Sequence, residues 1–299
     1  MTARFEAYCR RKEDIALAAE IPGYVAVSTE LAGGLAALGN TWSQAMFGGP
    51  FYRSAGSRVP GTPSTSLVFV QSRDGNTVAP DPAVLGGGAT DLHLLYEGLS
   101  RVDADAVLAG AATARGKEIV FSVWHPELVA LRLARAKARH PAQVVVTDRG
   151  DLRFDDGLMF QEPELRVLVV TRSAAAGTIR GRLETKPWIE VIDAGEPLSM
   201  TCAMRALKDR GIDVVSAVGG RRTATALLSE GLVSDVYLTT SAVEAGEPDT
   251  PFYIGRPPEM KRVVEKAGRG PESGVRFEHF IVNAHRQLPT PKRDGWRWR

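Results

Sequence analysis

Short apolar runs recur at residues 67–70, 106–109, 144–147, 167–171, 189–192, 214–218 and 236–240, and helix-forming stretches fill the spaces between them. Strands apolar enough to be covered on both faces, in alternation with helices, require an α/β domain built on a largely parallel central sheet with helices on both faces. Local signals mark the helix ends. Thr90 or Asp91 can cap a helix whose Leu92, Leu95, Tyr96 and Leu99 share one face, and Ser199 can cap another that buries Ala203, Met204 and Leu207 and stops before Gly211. A third helix is predicted over 126–139, with Arg132, Arg135, Lys137 and Arg139 as a solvated face. After the turn-rich residues 268–271, a last strand at 275–282 is expected to run antiparallel.

The rest of the chain is less regular. Residues 1–64 read as an N-terminal extension, a helix near 5–20 followed by a Gly- and Pro-rich loop, and residues 285–299 as a basic, disordered tail. Lys and Arg total 37 against 35 acidic residues, so charge supplies no case for a nucleic-acid or membrane partner. Trp296 and Trp298 interleave with the basic tail, but a terminus this short is not expected to bind nucleic acid. Cys9 and Cys202 are the two cysteines, too few for a disulfide framework, which fits a reducing cytoplasm. The first residues lack the uninterrupted apolar stretch of a signal peptide, and no window approaches the roughly 18 apolar residues that span a bilayer.

Within this frame one segment stands out. Residues 214–218 form a strand, Gly219-Gly220 follows, and a helix begins near Arg222. Two glycines let an anion approach the backbone, while the first unpaired amides of a helix carry the positive end of its dipole. Arg221, Arg222 and Thr223 add charge and a hydroxyl. Gly-Gly is also an ordinary tight turn, so its weight depends on the other strand ends. In open α/β sheets ligands bind beyond the carboxyl ends of the strands. Those exits are Ser72-Arg73-Asp74-Gly75, Gly110 to Arg115, Thr147-Asp148-Arg149 and Thr171-Arg172-Ser173. Arg149 and Arg172, each beside a hydroxyl, suit an adenosine ribose carrying a 2′-phosphate. Asp74 and Asp91 can accept from ring N–H groups of a heterocycle, with Ser72 assisting; as structural features they are a turn residue and a helix cap.

These residues resemble the reductase domain of the bifunctional riboflavin-pathway deaminase/reductase, which has the dihydrofolate reductase-like fold. The resemblance covers about residues 66–282. Ser72-Arg73-Asp74-Gly75 is similar to that family's Ser-x-Asp-Gly, and Asp91-Leu92-His93-Leu94-Leu95 to its Asp/His-Leu-Leu helix. Residues 105–115 are similar to its Ala-Asp-Ala-Val-Leu-x-Gly-x-x-Thr-x-Arg segment, and Gly219-Gly220 through Asp235 to its Gly-Gly, Leu-Leu and Gly-Leu-Val-Asp-Glu signature. The resemblance implies an NADPH-dependent reductase domain over 65–284, acting on a small heterocyclic substrate as a homodimer. It implies substrate contacts from Ser72, Asp74, Asp91 and Arg115. Cofactor contacts are implied for Gly110, Thr113, Thr147, Arg149, Thr171, Arg172, Ser173, Val218, Gly219, Gly220, Arg221 and Thr223. Gly219 and Gly220 would lie under the pyrophosphate, Thr113 near the nicotinamide, and residues 171–173 around the adenosine phosphate.

The chain departs from that pattern in two places. Val218 stands where the family has a glutamate, and Gly116-Lys117-Glu118 where it has an aspartate. Both fall on the substrate side, so turnover of the riboflavin intermediate is expected to be poor. A pterin, folate or specialised-metabolite reductase and a non-catalytic nucleotide-binding protein remain open on the sequence. No catalytic acid or base is assigned; hydride transfer is met chiefly by positioning. No metal site is expected: His125-Pro126-Glu127 lacks the Pro-Cys-x-x-Cys of a zinc deaminase, and the histidines have no ligand spacing. Gly86-Gly87-Gly88 reads as a loop before a helix.

Overall fold

The computed structural model describes residues 1–31, 33–256 and 258–283. The expected basic tail, 285–299, lies outside the described residues. In chain order the strands are β1 (Tyr24–Thr29), β2 (Leu35–Leu38), β3 (Phe51–Ser54), β4 (Ser64–Gln71), β5 (Ala106–Gly110), β6 (Ala142–Val146), β7 (Val167–Thr171), β8 (Ile189–Asp193), β9 (Val214–Val218), β10 (Asp235–Thr240), β11 (Met260–Gly268) and β12 (Arg276–Val282). All but β2 and β3, which pair as a separate hairpin, join one sheet in the order β1-β11-β12-β10-β4-β9-β5-β6-β7-β8. From β10 to β8 every neighbour is parallel.

The apolar runs form these strands because each strand must be covered on both faces. In β6, Val145 joins one apolar cluster and Val144 and Val146 the other; in β7, Val167 and Val169 oppose Leu168 and Val170. Helix Met200–Lys208, capped by Ser199 and followed by Gly211 at φ +78°, packs on the second face with helix Arg221–Ser229. Helices Thr90–Leu99 and Pro126–Ala134 cover the first.

Three local expectations change. Helix Thr90–Leu99 is wound with i→i+5 hydrogen bonds rather than i→i+4, so the inward face drifts: Leu92 is 41% exposed and Leu94 is buried in its place. The third helix stops at Ala134, and Arg132 is not solvated. It is buried and donates from Nη1 to the carbonyls of Arg101 and Ala104 at 2.7 Å and from Nε to that of Ala138 at 2.6 Å. Lastly, residues 1–64 contain the expected helix, Ala3–Ala18, but the stretch after it is not loop throughout: it holds helix Thr41–Phe47 and β1 to β3. Phe5, Tyr24, Phe47 and Phe51 share one buried cluster with Leu94, Trp124 and Phe277.

The C-terminal strand β12 runs antiparallel to β10, as expected, and β11 and β1 extend the sheet beyond it antiparallel.

Candidate functional site

The chain crosses from β4 to β5, continues in one direction through β8, then returns to lay β9 between β4 and β5 and β10 on the far side of β4. The connections leave β4, β9 and β5 in opposing directions, opening a crevice at their carboxyl ends.

At the centre of that crevice the exits of β5 and β9 meet almost without side chains. Gly219 has φ +68° and Gly220 φ +85°, and the helix Arg221–Ser229 starts on the next residue. A Cβ on Gly219 would lie 2.9 Å from Thr113 Oγ1, and one on Gly110 2.8 Å from Thr223 Oγ1. Glycine is required at Gly219 twice over, by backbone angle and by the approach of Thr113. The sequence reading therefore brings Gly110, Thr113, Gly219, Gly220 and Thr223 together. The cradle pairs bare backbone and helix N–H groups with short hydroxyls, a surface that accepts an anion without a charged ligand.

Other expected cofactor residues are already engaged. Arg221 turns away from the glycines: its guanidinium donates to the carbonyls of Pro251 at 2.5 Å, Asp249 at 3.3 Å and Tyr253 at 3.5 Å, pinning that loop to the helix start. Val218 is fully buried in the apolar core. Thr147 Oγ1 accepts from Gly150 N–H at 3.0 Å and closes its own turn, and Thr171 is wholly buried. Arg149 and Arg172 both reach Asp148, at 3.9 and 3.2 Å. Ser173 Oγ donates to Asp193 at 2.7 Å.

On the β4 side the chemistry is acidic. Ser72 Oγ donates to Asp74 Oδ1 at 2.5 Å, which holds the Asp74 carboxyl below the usual range in an exposed turn, and Asn76 Nδ2 donates to Asp74 Oδ2 at 2.6 Å. Asp91 is different. It is buried at the start of helix Thr90–Leu99, and its pKa is pushed up to about 6, first by loss of solvent, against a hydrogen bond with Thr239 of β10 and with a further push from Glu272. Glu272 comes from the turn after β11, where its Oε1 accepts from Thr90 N–H at 3.2 Å and its Oε2 is buried without a partner. Thr239 and Glu272 had no sequence signal, since each meets Asp91 only through the fold. Arg115 and Arg73 stand at the rim, each on a solvated carboxylate: Arg115 on Asp151 at 2.6 Å and Arg73 on Glu244 at 2.5 Å.

The strand exits thus carry helix amides and short hydroxyls at β5 and β9, groups able to receive an anion, and carboxylate acceptors beside β4. No group of three or more His, Cys, Asp or Glu among the described residues could hold a metal ion, and none of the described helices is long and apolar enough to cross a membrane.

The chain is 25% identical over 183 residues, 59% of its length and 81% of the relative's, to a 2,5-diamino-6-ribosylamino-4(3H)-pyrimidinone 5′-phosphate reductase of Archaeoglobus fulgidus. Its fold is similar to a pyrimidine reductase-like protein of Corynebacterium diphtheriae, with TM-score 0.63 and 20% identity over 82% of this chain and 100% of that one. It is also similar to the deaminase/5-amino-6-(5-phosphoribosylamino)uracil reductase of Thermotoga maritima, with TM-score 0.55 and 20% identity, covering 74% of this chain and 57% of that one. Residues 67–267 match the model of the RibD C-terminal domain. That stretch runs from β4 to β11 and contains both the glycine cradle and Asp91, so the chain belongs to the RibD C-terminal domain family and is an oxidoreductase of the pyrimidine reductase-like kind.

Proposed function

We propose that this chain is an NADPH-dependent reductase of a ribosylaminopyrimidine 5′-phosphate, working in the cytoplasm as a homodimer. The observation that carries the reading is the turn from β9 through Gly219 and Gly220, at φ +68° and +85°, into helix Arg221–Ser229, packed so closely on the β5 exit that Thr113 and Thr223 leave no room for a side chain at Gly219 or Gly110. The bound cofactor supplies a hydride, and the chain supplies position. Amides at the start of helix Arg221–Ser229 and the Thr113 and Thr223 hydroxyls hold the cofactor's phosphates and its nicotinamide end. Arg221 keeps the loop around residues 249–253 against the same helix start, which narrows the cradle. Across the crevice Asp91, ionised above pH 6, accepts from the N–H groups of the pyrimidine and holds its ring in register. Arg115 and Arg73 can leave their solvated carboxylates to meet the substrate phosphate, since exposed ion pairs cost little to break.

The test is NADPH oxidation by the purified protein with the ribosylaminopyrimidine phosphate and, separately, with dihydrofolate. Turnover of the first alone is the expected result. Turnover of dihydrofolate alone would reassign the substrate, and tight NADPH binding with neither turned over would make the chain a binding protein.

A further inference from the structure

The exits of β6, β7 and β8 carry an internal anion where the 2′-phosphate of NADPH is expected. Arg172, Ser173 and the first amides of helix Ser173–Arg182 are the donors this corner offers. Arg172, the Ser173 hydroxyl and the Ala174 amide each meet a carboxylate, while the Ser173 amide donates to the Gly195 carbonyl. Arg172 Nε donates to the Asp148 carbonyl at 3.2 Å with Asp148 Oδ1 at the same distance, Asp193 Oδ1 takes the Ser173 hydroxyl, and Glu196 reaches Arg172 Nη1 and the Ala174 amide. Its Oε1 is 3.5 Å from Arg172 Nη1 and its Oε2 accepts from Ala174 N–H at 3.1 Å.

The carboxylates differ in how firmly they are placed. Asp193 also accepts from Gly195 N–H at 3.0 Å, within its own turn, and Asp148 is mostly buried. Glu196 is 48% exposed on a longer side chain, and its partners Arg172 and Ala174 both reach solvent, so it can swing into water without leaving a buried group unpaired. Resting on the nucleotide reading above, we propose that Glu196 is a specificity-determining residue. It occupies Arg172 and the helix amide when no 2′-phosphate is present, and must be displaced when one binds. NADH, which lacks that phosphate, leaves Glu196 where it is. Discrimination between the two cofactors is therefore set by the contest between Glu196 and the 2′-phosphate, not by Arg172 alone.

Calorimetric titration with adenosine 2′,5′-bisphosphate and with AMP tests this without turnover. In Glu196→Gln the bisphosphate should bind about tenfold tighter, because one carboxylate no longer competes for a charged donor, while AMP affinity stays the same. The double variant Glu196→Gln with Arg172→Ala should lose that gain. AMP is the folding control, since a damaged protein would lose both ligands. Unchanged or weaker bisphosphate binding in Glu196→Gln, an equal shift for both ligands, or a gain that survives Arg172→Ala would each overturn the proposal. NADPH binding that persists while Glu196→Gln changes nothing sinks this inference alone. Failure of the wild-type protein to bind NADPH or either adenosine ligand removes the nucleotide reading and this inference with it.

Discussion

Two ends of one sheet edge are built on opposite principles. Where β5 and β9 end, the surface is backbone, glycine and threonine, and the guanidinium of Arg221 at the helix start is spent on loop carbonyls. Where β4 ends, the surface is made of carboxylates, and its key group, Asp91, is buried with Thr239 and Glu272 against it. An anion bound in the first region would be held by dipoles already fixed in place, at no cost in buried charge. The second region holds a desolvated carboxylate that Thr239 relieves only in part. The first should therefore fail by steric and backbone change, the second by titration.

The largest effect is expected from Gly220→Asp. Its φ of +85° is costly for any residue with a Cβ, and the new carboxylate faces the cofactor's own phosphates. Lost amide contacts and strain together should weaken NADPH roughly a hundredfold or more. Fluorescence titration measures it, and full affinity in a folded variant would place the cofactor away from the cradle.

Asp91→Asn comes next and should split activity from stability. A free aspartate titrates near 3.9 and this one at about 6, so between those pH values the native protein holds a proton that the unfolded chain has released. Stability from this group therefore falls as pH rises from 4 to 6, by about 2–3 kcal/mol in full. At pH 7 the Asn variant should melt about 4 °C or more above wild type, and at pH 4 the gain should vanish. Its kcat/KM should fall about a hundredfold, and the loss of wild-type activity below pH 6 should disappear from its profile. A lower melting temperature at pH 7 would mean that the carboxylate is satisfied within the fold and not held in reserve for a ligand.

Arg221→Ala sharpens the contrast at the cradle. If Arg221 is a loop clamp, NADPH affinity should drop only about threefold to tenfold while its salt dependence stays that of wild type. A flatter salt dependence would return Arg221 to the role of phosphate ligand.

What the sequence reveals follows the same division. Parallel strands covered on both faces need unbroken apolar runs, so β4 to β10 and their exits are legible from residues alone, and the Gly219-Gly220 turn with them. The antiparallel margin is not. β1 buries only its first residue, Tyr24, and its pairing with β11 joins distant segments, so neither alternation nor a turn announces it. Side-chain direction is hidden for the same reason. Arg221 and Arg132 both read as free cations in the sequence, yet each ends on backbone carbonyls supplied by other elements. Val218 reads as a missing ligand, but its side chain belongs to the core, where a glutamate would be an unpaired buried charge. Asp91 was legible as a candidate; its raised pKa was not, because burial, Thr239 and Glu272 all come from the fold.

The smallest effect is expected at the rim of the acidic region. Arg73 and Glu244 form an ion pair in which both side chains are 64% exposed, and such pairs contribute little once solvent and salt screen them. Arg73→Ala should leave stability within about 0.5 kcal/mol of wild type. In catalysis Arg73 has one task left, to meet the substrate phosphate after releasing Glu244, and a solvated charge of that kind should raise KM only about threefold. The effect should vanish with the dephosphorylated substrate, since the ring is proposed to rest on Asp91 and not on Arg73. Measuring KM for both substrates in Arg73→Ala separates the two. A large, phosphate-independent loss would mean that Arg73 orders the Ser72–Asn76 turn, and that the acidic region depends on its rim as much as on its buried carboxyl.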